Sequence, residues 1–143
     1  MNREIKFRAW DSKKKKMLQD VQNYHWCENC ANEYNEGTEY PAVQHFGNFV
    51  KKQYEADRFE VMQFTGLKDK NGKEIYEGDI VKFKEEGCSE YFRKSKVFFE
   101  RGSFKVFDFF NSETELYDFI GNSYHLEVIG NIYENKHLLE DLK

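Results

Sequence analysis

With 143 residues, the chain has room for one domain, or for one domain with a smaller appended lobe. A net charge of −4 argues against a strong reader of nucleic-acid backbone, which needs clustered Lys and Arg, but leaves room for a local basic stripe. Three cysteines, no apolar run near the ~18 residues that span a bilayer, and no apolar run after Met1 argue against a disulfide framework, a membrane span and a secretory signal. The expected address is the cytoplasm.

Aromatic residues make up 17% of the chain, so large rings can fill a core although Leu is scarce. The same excess leaves apolar surface for self-association or a partner.

In chain order, strand signals dominate. Glu4 to Trp10 alternates, which predicts Ile5, Phe7 and Ala9 on one face and Lys6 and Arg8 on the other. Asp11-Ser12 and Lys13 to Lys16 read as a solvated turn, with Met17 to Tyr24 as a returning strand. Residues 28–53 are polar and broken by Gly37, Pro41 and Gly47. They are expected to form an irregular excursion joining an N-terminal strand pair to the main β body. Arg58 to Thr65 is a further strand. Asn71-Gly72 then predicts a hairpin with positive φ at both central residues.

Glu77-Gly78-Asp79 is a second tight turn that launches Ile80 to Phe83. Lys96 to Glu100 and Phe104 to Phe109 flank Arg101-Gly102-Ser103 as another hairpin. Ser112-Glu113-Thr114-Glu115 matches a capping box, predicting a short helix with Leu116, Phe119 and Ile120 on its apolar face. After a last strand from His125 to Tyr133, Asn135 is expected to cap a terminal turn carrying Leu138, Leu139 and Leu142. Short strands in hairpins with two short helices predict a mainly β, barrel-like fold.

Three segments carry a family likeness. They are Arg3 to Asp11, Gln63 to Val81 around Thr65-Gly66-Leu67-Lys68-Asp69-Lys70-Asn71-Gly72, and Val128-Ile129-Gly130-Asn131-Ile132-Tyr133-Glu134-Asn135. In order and spacing they resemble the YopX family of bacteriophage and prophage proteins. Lys136 and His137 stand where that family often has Pro and Glu. The resemblance implies one YopX-like domain over residues 1–143, a mainly β fold and a phage or prophage setting. It carries no activity onto any residue. The glycines and apolar residues of the central motif are explained by turns and core, with Gly66, Gly72 and Gly78 where unusual φ is needed.

Chemistry-bearing motifs are sparse. His25, Cys27 and Cys30 form half of a zinc-like ligand set, which Cys88 and a histidine would have to complete. With only one paired set, Cys27 and Cys30 are read as two ordinary thiols in a loop. His45, His125 and His137 stand outside any hydrolase or metalloprotease spacing. No catalytic, cofactor-binding or metal residue is assigned, no cofactor is expected, and the chain is not read as an enzyme.

Gly78-Asp79 before an apolar strand is how several SH3-like barrels begin. Lys68, Lys70, Lys73, Lys82 and Lys84 could line one side of it. Asp69, Glu74, Glu77 and Asp79 interleave with them, which favours a mixed solvated surface. The expected role is a protein-interaction module with an unidentified host or phage partner, or with a second copy of itself. The alternative is a nucleic-acid-associated protein whose barrel face interleaves Lys with aromatics, as in Tyr91 to Lys96 and Phe104 to Phe107.

Overall fold

The protein is seen as a computed structural model that describes residues 4–19, 21, 59–87, 90–121 and 123–140. Strands hold 54% of these residues, and the fold is mainly β and barrel-like, as expected. The chain forms two compact units, one from Glu4 to Gln63 and one from Phe64 onward. The excursion predicted at 28–53 lies outside the described residues, as do His25, Cys27, Cys30, His45 and Cys88.

In the first unit, β1 (Phe7–Asp11) pairs antiparallel with β2 (Lys16–Leu18), setting Ala9 opposite Leu18 and Asp11 opposite Lys16. The tight turn between them is held by Asp11, whose Oδ1 accepts the amides of Lys13 and Lys14 at 3.0 and 3.1 Å. Lys15 takes a positive φ of 55° to close it. On its other side β1 pairs with the first half of β3 (Phe59–Lys68), from Asp11↔Phe59 to Phe7↔Gln63.

The predicted alternation on β1 is wrong in detail. Ile5 precedes the strand and is 62% exposed, whereas Arg8 and Trp10 are buried like Ala9 between them. A strand covered on both faces need not alternate. Of the predicted returning strand, Lys16–Leu18 is extended and Val21 adds one further bridge, its amide donating to the Phe7 carbonyl; residues 20 and 22–24 lie outside the described residues.

In the second unit, β3 continues into a hairpin with β4 (Glu74–Tyr76), pairing Phe64 with Tyr76 and Lys68 with Glu74. The turn is not the one that Asn71-Gly72 predicts. Among the described residues only Gly72 of that pair has positive φ, at 80°. The Gly72 amide donates to the Asp69 carbonyl and the Asp69 amide to the Lys73 carbonyl, which is a type I turn followed by a glycine bulge. Asp69 decides this. Its Oδ1 accepts the amides of Asn71 and Lys73 at 2.8 and 2.9 Å, holding the chain in the Asx-type geometry.

The turn with positive φ at both central residues occurs instead at Arg101 (51°) and Gly102 (81°). They join β7 (Phe98–Glu100) to β8 (Ser103–Phe107). A third strand, β9 (Glu113–Glu115), pairs with β8. The capping-box helix is therefore not formed. Glu113 to Glu115 are extended, and only Leu116–Phe119 turn, as a 3₁₀ helix without a side-chain cap. Sheet pairing supplies the partners that the box would have supplied. The apolar prediction holds, since Leu116 and Phe119 are buried.

The remaining sheet has β5 (Asp79–Glu85) at its centre, with β10 (Tyr124–Asn131) on one side and β6 (Arg93–Lys96) on the other. Lys96 thus ends β6 and does not begin β7. The core collects Ile75, Val81, Phe83, Val97, Val106, Leu116, Phe119 and Leu126. Phe83 is its hub, with ring centroids 4.4 Å from Phe119 and 5.4 Å from Phe109.

After β10, Asn135 does not cap the terminal helix α1 (His137–Glu140) with its side chain. Its Oδ1 accepts the Asn131 amide, while its backbone carbonyl accepts the Leu138 amide. Gly130 has to be glycine there for space, because a Cβ would sit 2.7 Å from Asn135 Cγ.

Two stability changes are expected. Asp69→Ala removes a carboxylate that accepts three backbone amides, the third being Val128, and is expected to cost about 3 kcal/mol in urea unfolding. A loss below about 1 kcal/mol would show that water replaces those bonds. Arg101→Asn places a residue that tolerates positive φ in the β7–β8 turn, and is expected to raise stability by about 0.5–1 kcal/mol.

Candidate functional site

Residues directly opposite across antiparallel strands share a face. In the central sheet Val81, Phe83 and Leu126 point into the core, which turns Lys82 and Lys84 of β5 to the other side. Lys82 stands opposite Lys94 on β6 and Glu127 on β10, and Lys84 opposite His125. One row earlier, Ile80 is fully buried and Lys96 opposite it lies 6.0 Å from the Phe98 ring, so the open face begins at Lys82.

A shallow pocket opens on this face. Lys82, Lys84, Phe92, His125 and Glu127 line it, joined by Lys70 from the β3–β4 turn. Lys70 reaches the face because its amide donates to the Leu126 carbonyl at 2.9 Å. Its Nζ is then 3.2 Å from Glu127, the pocket's single carboxylate. Among the described residues, neither Lys82 nor Lys84 has an ion pair. Lys82 instead rests its ammonium 4.3 Å from the centroid of the Phe92 ring, and Lys94 lies 5.9 Å from the same ring. Phe92 remains 47% exposed. Exposed Glu85 and Glu86 follow at the end of β5, and exposed Glu90 precedes β6.

A line of rings runs from the core to the edge of this face. Tyr91, 66% exposed, stacks on Phe109 at 5.8 Å, and Phe109 meets Phe83 edge-on. Asp108 sets Phe109 in place by ordering the 108–112 turn. Its Oδ1 accepts the amides of Phe110 and Ser112, each at 2.8 Å, and its Oδ2 accepts the Thr114 hydroxyl at 3.1 Å. Arg93 donates to Asn111 Oδ1 at 2.7 Å, tying the turn to β6. The Ser112 amide above all holds the Asp108 carboxyl below its ordinary 3.8; burial opposes it, and the Phe110 amide, the Thr114 hydroxyl and the Arg93 charge add to the lowering.

The lysines proposed from sequence divide. Lys70, Lys82 and Lys84 come together, while Lys68 pairs across the hairpin with Glu74, and neither Lys68 nor Lys73 lines the pocket. Two of the four carboxylates expected to neutralise them are withdrawn: Asp69 and Asp79 are 7% and 1% exposed and accept backbone amides. Of the two Lys-aromatic segments, Tyr91 to Lys96 supplies Phe92 and Lys94 to the face. Phe104 to Phe107 does not, because Lys105 is paired with Glu115 at 2.5 Å, Val106 is buried, and the Phe104 and Phe107 rings pack on Phe99 and Phe98. Sequence reasoning missed His125 and Glu127. Their place follows only from the β5–β10 register, which a bulge between Val128 and Gly130 shifts.

Among the described residues no three His, Cys, Asp or Glu side chains are grouped to hold a metal, and no helix is long and apolar enough to cross a membrane. The molecule is thus a mainly β protein of short antiparallel hairpins, with one shallow basic and aromatic face. The chain belongs to the YopX family, whose profile, described as YopX protein, matches residues 6–140. Protein EF1440 from Enterococcus faecalis has a similar crystal structure, with a TM-score of 0.64 and 27% identity over 96% of this chain and 99% of that one. The yopX protein of Bacillus subtilis shares the fold at a TM-score of 0.54 and 22% identity, covering 93% of this chain and 96% of that one. No curated protein matches the chain.

The lowered Asp108 acidity predicts a pH effect on the turn that supports Phe109. A carboxylate whose folded value lies below its unfolded 3.8 stabilises the fold fully above that value and loses the contribution as pH falls below it. Urea unfolding between pH 6 and pH 2.5 is therefore expected to lose stability most steeply below about pH 4, and Asp108→Asn to flatten that fall. An unchanged slope in the variant would place the acid sensitivity elsewhere.

Proposed function

We propose that this protein is a non-catalytic, nucleic-acid-associated protein that presents the outer face of the β10–β5–β6 sheet to phosphates. One observation carries the reading: Lys70, Lys82 and Lys84 converge on a pocket with a single carboxylate, and Lys94 lies across from Lys82. The net charge of −4 does not oppose a local contact of this kind, since exposed charges are screened beyond roughly 10 Å at 0.1 M salt. The Gly78-Asp79 start of β5 fits an SH3-like barrel, in keeping with the same reading. The setting is the cytoplasm of a bacterium carrying a phage or prophage, as the family resemblance implies.

A protein-interaction role is the second reading. Phe110, Tyr117 and Phe99, at 89%, 70% and 50% exposure, favour it as surface rings outside the basic face. In a pull-down from a phage-infected host, partners that survive nuclease would support this role, and partners that vanish with it would support the first.

Direct binding to fluorescently labelled oligonucleotides tests the first reading. Binding is expected with micromolar affinity, and three or four phosphate contacts should lower it roughly 20- to 50-fold between 50 and 200 mM salt. The double variant Lys82→Ala/Lys84→Ala is expected to shrink that salt dependence by about half. Absence of binding at about 100 µM protein in low salt would overturn the reading.

A further inference from the structure

We infer that the basic face takes single-stranded nucleic acid, with one base stacked on Phe92 and the adjoining phosphates held by Lys82 and Lys84. This rests on the nucleic-acid reading above and goes further, naming the strand state and the ring that reads it. Phe92 is the aromatic residue lining the lysine pocket that keeps about half its surface open, at 47%. Its ring is at present covered by the Lys82 ammonium, 4.3 Å from the centroid, a contact that is weak at an exposed site. A phosphate offers that ammonium a stronger, charge-assisted partner. Lys82 can therefore move from ring to phosphate, and the ring it leaves is free to receive a base. No bond is made or broken in the exchange.

The strand state follows from what each form of nucleic acid offers an open ring. In a duplex the base faces are stacked on one another, and only phosphates and base edges remain. A duplex would use the lysines and leave Phe92 without a partner. A single strand presents base faces, and stacking on an aromatic ring tolerates any base. The face is shallow, and among the described residues no helix exceeds four residues, so no helix is at hand to enter a major groove. Phosphate contacts at Lys82 and Lys84, with a ring between Lys82 and Lys94, form a short platform for an extended strand. Glu85 and Glu86 directly follow Lys84, so the run of lysines on β5 ends there.

The test measures full-length protein against labelled 15-mers of dT and rU and against a 15-base-pair DNA duplex, at one salt concentration. Single strands are expected to bind at least about fivefold tighter than the duplex. Phe92→Leu is expected to weaken single-strand binding by roughly 5- to 20-fold and to leave duplex binding within about twofold. Phe92→Trp, compared with the parent, should keep the affinity and add an emission that single strands quench and the duplex does not. It also serves as the deciding variant if Phe92→Leu fails to fold in a circular dichroism check. Duplex binding equal to or tighter than single-strand binding, or an unquenched Phe92→Trp that still binds, would overturn the inference while leaving the nucleic-acid reading standing. Loss of binding to all three ligands would overturn both.

Discussion

The second unit hangs on the carboxylate of Asp69. It lies in a turn, yet it is buried and accepts three amides, two from its own turn and one from Val128 on β10, 59 residues away. A buried carboxylate without donors would be strongly destabilising, so the turn and β10 must meet it together. That demand fixes the shape of the β3–β4 hairpin and anchors it against the strand that flanks β5. It also carries Lys70 to the Leu126 carbonyl and to Glu127. One constraint therefore closes a hairpin, ties it to a sheet, and sets the first lysine of the basic pocket.

A second acid works in the same manner at the entrance to β5. Asp79 is almost fully buried, and its Oδ2 accepts the Tyr76 amide at 2.8 Å. Its carbonyl accepts the Val97 amide, while the amide of neighbouring Gly78 donates to the Val97 carbonyl and the Gly78 carbonyl accepts the Ile132 amide. Gly78 can do this because it turns with φ at 81°. Strand β5 is therefore gripped at its start by the segments that follow β6 and β10. Thr65 adds a bond from its hydroxyl to the Ile75 carbonyl at 2.7 Å. The residues that make this chain resemble YopX proteins are thus largely the ones that hold this unit's frame, and the basic face is built on the strands they position.

Much of the frame was legible because it is local. Gly72, Gly78 and Gly102 mark turns by their need for positive φ, and Ile75, Val81, Leu116 and Phe119 mark core by their spacing. Errors came where a local signal met a tertiary demand. The Ser112–Glu115 capping pattern lost to pairing with β8, and Asn71-Gly72 lost its primed turn to the side chain of Asp69. The basic face was illegible for a related reason. Along the chain, Asp69 and Asp79 interleave with the lysines and read as their neutralising partners. In space they point inward to amides, and a linear reading of charge has no access to that direction.

The strand registers show how this protein treats lysines elsewhere. Lys105 stands opposite Glu115 and forms an ion pair with it, and Lys68 stands opposite Glu74. Opposite charges across a sheet stabilise it by a few tenths of a kcal/mol, whereas like charges directly opposite cost about as much. On β5 the pattern changes. Lys82 faces Lys94 on one side, and Glu127 on the other side is already engaged by Lys70, while Lys84 faces His125. A sheet selected for stability alone would gain from an acid at 94 or 125, as it has at 74 and 115. The cost of setting Lys94 opposite Lys82 is small, but it falls on one face and beside one half-open ring. In the proposed role, the phosphates of a bound strand would bring negative charge to Lys82 and Lys84, which form no ion pair among the described residues.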